Sequence, residues 1–181
     1  MAELLKHIRD DVAARLGPAL DGLTIERAVL GLFFVGVKLD NGAGGLCATP
    51  LQDIPQAVCC PSSAQAMPAP GKLRGRPVAQ VLLDLERGGP LRRALAIATL
   101  NALVESVLRA QGIPAGTQSD TGDALTALAI EPHQQVVLVG GFAPYLRAFM
   151  GSGQPFTVVE RDPVVLKPEE MPFYAPASRA A

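Results

Sequence analysis

The chain has 181 residues, 49% hydrophobic, 18% charged and 4% aromatic with no Trp, and carries a net charge of −1 at pH 7. That supplies one sizeable core or two small ones, built from Leu, Val, Ile and Ala. The near-neutral charge, with no basic stripe, argues against nucleic-acid or acidic-membrane partners. No apolar run reaches the roughly 20 residues a bilayer span needs. Met1–Arg9 lacks a signal-peptide core, and three cysteines, two of them adjacent, make no disulfide framework. The expected compartment is the cytoplasm.

Leu4, Leu5, Ile8, Val12 and Leu16 recur at helical spacing, and Gly17-Pro18 stops that helix. A weakly alternating Leu23–Ala28 runs into a long apolar stretch, Val29–Leu39. Asp40-Asn-Gly42 is a hairpin signal, and Gly45–Thr49 supplies the return strand. Pro50–Gly75, rich in Pro, Ser, Ala and Gln, reads as a long loop. Pro77 suits the first turn of a helix ending at Arg87, before Gly88-Gly89-Pro90. Leu91–Gln111 is apolar on nearly all sides and is expected to be a central, largely buried helix ended by Gly112 and Pro114.

A short helix is expected over Asp120–Ala129, with Asp120, Thr121 or Asp123, the aspartates bracketing Gly122, as its cap unless those aspartates face the cleft. Val136-Val-Leu-Val139 reads as a strand buried on both faces, as in parallel sheets. Gly140-Gly141 turns the chain, Phe142–Met150 has the spacing of a short helix, and Phe156–Val159 is a second strand ending in Glu160. Strand, glycine turn, helix, strand and acid form the opening half of a Rossmann-like unit, whose ligands sit at the carboxyl ends of the strands. After Pro163 the Pro-rich tail carries no further helix or strand signal. Two parallel strands fall short of the four or more such a sheet normally uses, so the remaining strands are either lost or supplied by a second chain.

The order of Val29–Ala48, the Ala98-Thr-Leu-Asn-Ala102 helix, Val137–Pro144 and Val159-Glu-Arg-Asp-Pro163 resembles the putative heavy-metal chelation family. The resemblance implies a small domain like the N-terminal domain of enolase, followed by a Rossmann-like domain. It also implies that Asn101 projects into a cleft between them, and that the C-terminal part is shortened, with no match after Pro163.

Gly140, Gly141 and Phe142 offer backbone N–H groups at a helix start to an anionic or nucleotide-like ligand. The pattern lacks G-x-G-x-x-G, so a simple tight turn is an equal alternative. Glu160 lies about 20 residues beyond the turn, where nucleotide-binding folds place a ribose-contacting acid; the alternative is a solvated acid beside Arg161. Asn101 on an apolar helix must find a partner, whether neighbouring backbone or the cleft. Glu105, one turn on, either shares that face or is exposed. Cys47, Cys59, Cys60 and His133 have no zinc-type spacing. No nucleophile–base pair stands out, and His7 reads as a surface side chain.

The expected fold is α/β, with residues 1–75 a small α+β domain and 76–181 a helical connector and truncated Rossmann-like unit. The expected function is binding of a small molecule, a metal or a metal chelate in the cleft, through Asn101, Gly140, Gly141, Phe142 and Glu160. The sequence does not identify a cofactor, and a metal ion is the one candidate it leaves. Two alternatives stand beside it: an enzyme acting on a nucleotide- or pterin-like substrate, and a non-catalytic assembly subunit whose edge strand docks on a partner chain or a second copy.

Overall fold

The structure is a computed structural model that describes residues 2–50, 67–117 and 121–176. The chain is mixed α/β and divides into two compact units, Met1–Thr117 and Gln118–Ala181, each with its own three-stranded sheet and its own core.

In the first unit, α1 (Ala2–Leu16) and the short α2 (Ala19–Gly22) precede three antiparallel strands, β1 (Ile25–Leu30), β2 (Phe34–Leu39) and β3 (Gly44–Ala48). Leu5, Ile8, Val12 and Leu16 of α1 join the core as their spacing predicts, while Leu4 stays exposed. The apolar stretch Val29–Leu39 is two strands rather than one. Gly31 turns it, with its N–H donating to the Phe34 carbonyl at 2.9 Å. The Asp40-Asn-Gly42 turn forms as expected, with the Gly42 N–H donating to the Leu39 carbonyl at 2.9 Å. Strand alternation turns Val35, Val37 and Leu39 into the core and Phe34 and Lys38 away from it.

Three helices complete this unit: α3 (Val78–Leu82), α4 (Asp84–Arg87) and α5 (Pro90–Gln111). The single helix expected after Pro77 is broken at Leu83, and Pro77 is the N-cap of α3. Leu91, Leu95, Ala98, Ala102 and Leu103 of α5 are buried. Burial does not extend all round, because Arg92, Arg93, Asn101 and Leu108–Gln111 are exposed. The alanines that made every side look apolar serve instead for close approach. A Cβ built on Gly45 of β3 would run into the Ala98 carbonyl oxygen and the Ala102 nitrogen, and would lie 2.9 Å from the Asn101 carbonyl carbon. The helical segment after residue 76 therefore folds onto the meander, and the compact unit extends past residue 75 to Thr117.

The second unit begins with α6 (Ala124–Ala127), one turn long and capped by Asp123, whose carboxylate accepts from the Leu125 N–H at 2.9 Å. Of the expected caps, Asp123 is thus the one that forms and Thr121 does not serve; Asp120 lies outside the described residues. Next come β4 (Val136–Val139), α7 (Ala143–Ser152) and β5 (Phe156–Glu160), with β4 and β5 parallel. Leu146 and Phe149 of α7 pack with Phe156 and Val158, and the Phe149 and Phe156 ring centroids are 5.5 Å apart.

Two expectations fail in this unit. First, β4 is not buried on both faces: Val137 is 58% exposed and Val139 79%. Val136 and Leu138 meet the core, but β4 is an edge strand. Second, the tail is not featureless. Turns of 3₁₀ helix at Pro163–Val165 and Met171–Phe173 lead into β6 (Tyr174–Pro176), which pairs parallel with β5. Prolines hide these elements from a propensity reading, yet short helical turns and edge strands tolerate them. The sheet order is β4-β5-β6.

Candidate functional site

The carboxyl ends of β4 and β5 carry four of the five expected site residues. Gly140 has φ +95°, a left-handed conformation that side chains rarely adopt. Its N–H donates to the Val159 carbonyl at 2.8 Å, the last rung of the β4–β5 ladder. Phe142 caps α7, and its carbonyl accepts from the Tyr145 and Leu146 N–H groups at 3.0 Å. The Phe142 and Tyr145 rings meet edge to face with centroids 5.0 Å apart.

Glu160 closes this turn. Its Oε2 accepts from the Gly141 N–H at 2.8 Å, and its Oε1 accepts from the backbone N–H groups of Arg161 at 2.7 Å and Asp162 at 3.3 Å. The Gly141 hydrogen bond is the chief cause that holds this carboxyl below its ordinary range, and burial opposes it only in part. Gly141 and Glu160 thus belong to one arrangement, but in a different relation from the one expected. The N–H assigned to an incoming anion already holds the chain's own carboxylate. What the turn presents is a fixed carboxylate, with an aromatic pair at the start of the helix that follows, chemistry that suits a cation, a cationic complex or a hydroxyl donor.

Asn101 lies on the other compact unit. It is exposed, and its Nδ2 donates to the Leu46 carbonyl at 2.7 Å. Glu105, one turn on, accepts from the Gly44 N–H through Oε2, and its Oε1 pairs with Arg109. The Gly44 hydrogen bond, ahead of that with Arg109, holds the Glu105 carboxyl below its ordinary range. Together Asn101 and Glu105 complete the outer edge of β3, supplying the donor and the acceptor that a further strand would have given residues 46 and 44. Gly44 and Gly45 are not among the site residues that the sequence points to. The signal that could have found them is Ala98 and Ala102, small residues one helical turn apart, beside a Gly-Gly strand.

A bound metal needs converging donors. Among the described residues no group of three or more His, Cys, Asp or Glu side chains comes together. Cys47 is half-buried and free, with its thiol pushed up by burial, and Cys59 and Cys60 lie outside the described residues. The described side chains therefore do not form an all-protein metal centre. Among the described residues no helix is long and apolar enough to cross a membrane.

The chain is similar in fold to two solved structures. One is a protein of unknown function of the DUF364 family from Pyrococcus horikoshii, at 15% identity and TM-score 0.61, covering 97% of this chain and 61% of that one. The other is from the same family in Desulfitobacterium hafniense DCB-2, at 16% identity and TM-score 0.60, covering 97% and 62%. The chain thus spans about three fifths of the length of either structure. No curated protein matches it. Family models described as putative heavy-metal chelation match residues 13–104 and 123–181, one lying within each compact unit. The chain belongs to this putative heavy-metal chelation family.

Proposed function

We propose that the C-terminal unit binds a small cationic ligand, a metal chelate foremost, at the strand ends marked by Gly140, Gly141, Phe142 and Glu160. The observation that carries this reading is the Glu160 carboxylate. Three backbone N–H groups fix it in place and keep it charged at the position where open parallel sheets receive ligands. A carboxylate so placed attracts positive charge, and one carboxylate does not make a metal centre. A metal reaching it would bring most of its ligands along, which suits a chelate better than a bare ion. The family description is in keeping with this chemistry. The strand–turn–helix–strand geometry is in keeping with a Rossmann-like unit, and the first unit with an enolase-like domain before it; the family match itself runs past Pro163, where none was expected. The compartment we propose is the cytoplasm.

Titration of the full chain by calorimetry, with nickel(II), zinc(II) and the dicationic diethylenetriamine chelate of each, tests the reading. It expects saturable binding of a chelate that Gly141→Leu removes. Gly141→Leu would place a side chain where a Cβ already lies 3.0 Å from Leu166 Cδ2 and 3.5 Å from Glu160 Oε2. Affinity for the bare ions alone, or chelate binding unchanged by the substitution, would defeat it.

A second reading, assembly, is favoured by β4. Val137 and Val139 point away from the core on an edge strand that bears no charge and no proline, and such an edge invites strand addition by another chain or a second copy. A concentration-independent monomer mass in solution would remove this reading.

A further inference from the structure

Cross-strand register on the first unit's sheet fixes what lies on the face turned away from the core. Arg27 pairs with Lys38, and Lys38 with Gly44; one step along, Val29 pairs with Gly36, and Gly36 with Leu46. The first row sets two cations side by side, an arrangement that repels across strands. Lys38 Nζ has the Glu26 carboxylate at 2.8 Å. Arg27 has no carboxylate partner among the described residues. The second row is a glycine between two exposed apolar side chains, Val29 at 56% and Leu46 at 61%. Glycine in the middle of a central strand weakens the sheet and often marks close approach of a ligand. A Cβ on Gly36 would meet Leu46 Cδ2 at 3.2 Å. The rows line a shallow, open depression of about 600 Å³, together with Asn101.

We propose that this trough binds an amphiphilic monoanion. Its carboxylate or sulfonate head sits on Arg27 beside Lys38, and its flat apolar body lies over Gly36 between Val29 and Leu46. Charge decides the class of occupant: the row holds two cations against one carboxylate, so one negative charge balances it, while the neighbouring row offers only apolar surface. The site is independent of the strand-end carboxylate in the other unit, which repels the same ligand.

The test is a titration of the isotope-labelled full chain with 2-naphthoate and, separately, with uncharged 2-naphthylmethanol, following backbone amide resonances. The expected result is saturable shifts at Gly36, Gly44 and Leu46 with naphthoate, and weaker binding of the alcohol. Arg27→Gln should weaken naphthoate about fivefold, the effect of losing one exposed ion pair. Gly36→Val should abolish the shifts while thermal unfolding stays cooperative. If Gly36→Val does not fold, Arg27→Gln decides alone. Non-saturating shifts, equal affinity for the alcohol, or unchanged affinity in Arg27→Gln would overturn the proposal.

Discussion

Both compact units use a glutamate to hold a glycine N–H, and they use it for different ends. In the first, Glu105 reaches from α5 to Gly44 and, with Asn101, finishes the edge of β3. In the second, Glu160 reaches from the end of β5 to Gly141 and closes a turn that faces the carboxyl ends of a parallel sheet. The first device joins a helix to a strand that lies against its backbone. The second joins two ends of one sheet and leaves a carboxylate where ligands bind such folds. The same hydrogen bond is therefore part of the packing in one unit and part of a candidate site in the other.

The glycines separate the two most sharply. Gly45 has helix backbone on its Cβ side, and backbone does not move aside. Gly45→Ala should destabilise the chain by about 3 kcal/mol or more, as overpacking does when nothing yields. Gly141 faces the tip of Leu166, a flexible side chain, so Gly141→Ala should cost less than about 1.5 kcal/mol. Urea unfolding of the two variants checks the order, and equal losses would break the contrast. Next in size is Asn101→Asp, which replaces a donor to the Leu46 carbonyl with a repelling oxygen. It should cost more than Asn101→Ala, itself about 1–2 kcal/mol. A milder Asp variant would mean that the amide does not hold β3. Gly140→Ala should cost about 1 kcal/mol through its left-handed φ alone, with no clash to relieve.

The smallest effect is on pH. Both glutamates have folded values depressed below the ordinary 4.5. Their stabilisation is complete above that pH and is lost as the pH falls toward the folded values. Thermal unfolding followed across this acid range should show a flatter decline in Glu105→Gln and in Glu160→Gln than in the parent chain. A decline as steep in either variant as in the parent would show that its carboxylate plays no such part.

The elements that rest on local pattern were readable. The apolar stripe of α1, the Asp40-Asn-Gly42 turn, the Val136–Val139 strand with its two glycines, and Phe156–Glu160 all announce themselves within a few residues. What was not readable depends on partners distant in sequence. β6 is three residues among prolines, and it becomes a strand only because β5 offers an edge. β4 looked like a central strand because Val137 and Val139 are as apolar as Val136 and Leu138, and composition does not say that one face lacks a cover. Glu160 could be placed at the strand end from spacing, but not that it bonds the very N–H it was expected to leave free. Asn101 was expected to need a partner and has one in Leu46, which the sequence does not name because the contact spans 55 residues.

Native mass spectrometry of the full chain, with metal analysis on the same sample and on Gly141→Leu, tests the central claim most directly: that the Glu160-closed turn is a binding site for a small metal-bearing ligand. The account predicts a stoichiometric added mass with associated metal in the parent chain, absent from a folded Gly141→Leu. The same added mass on both proteins, or a metal-free chain that takes up no chelate when one is supplied, would contradict it.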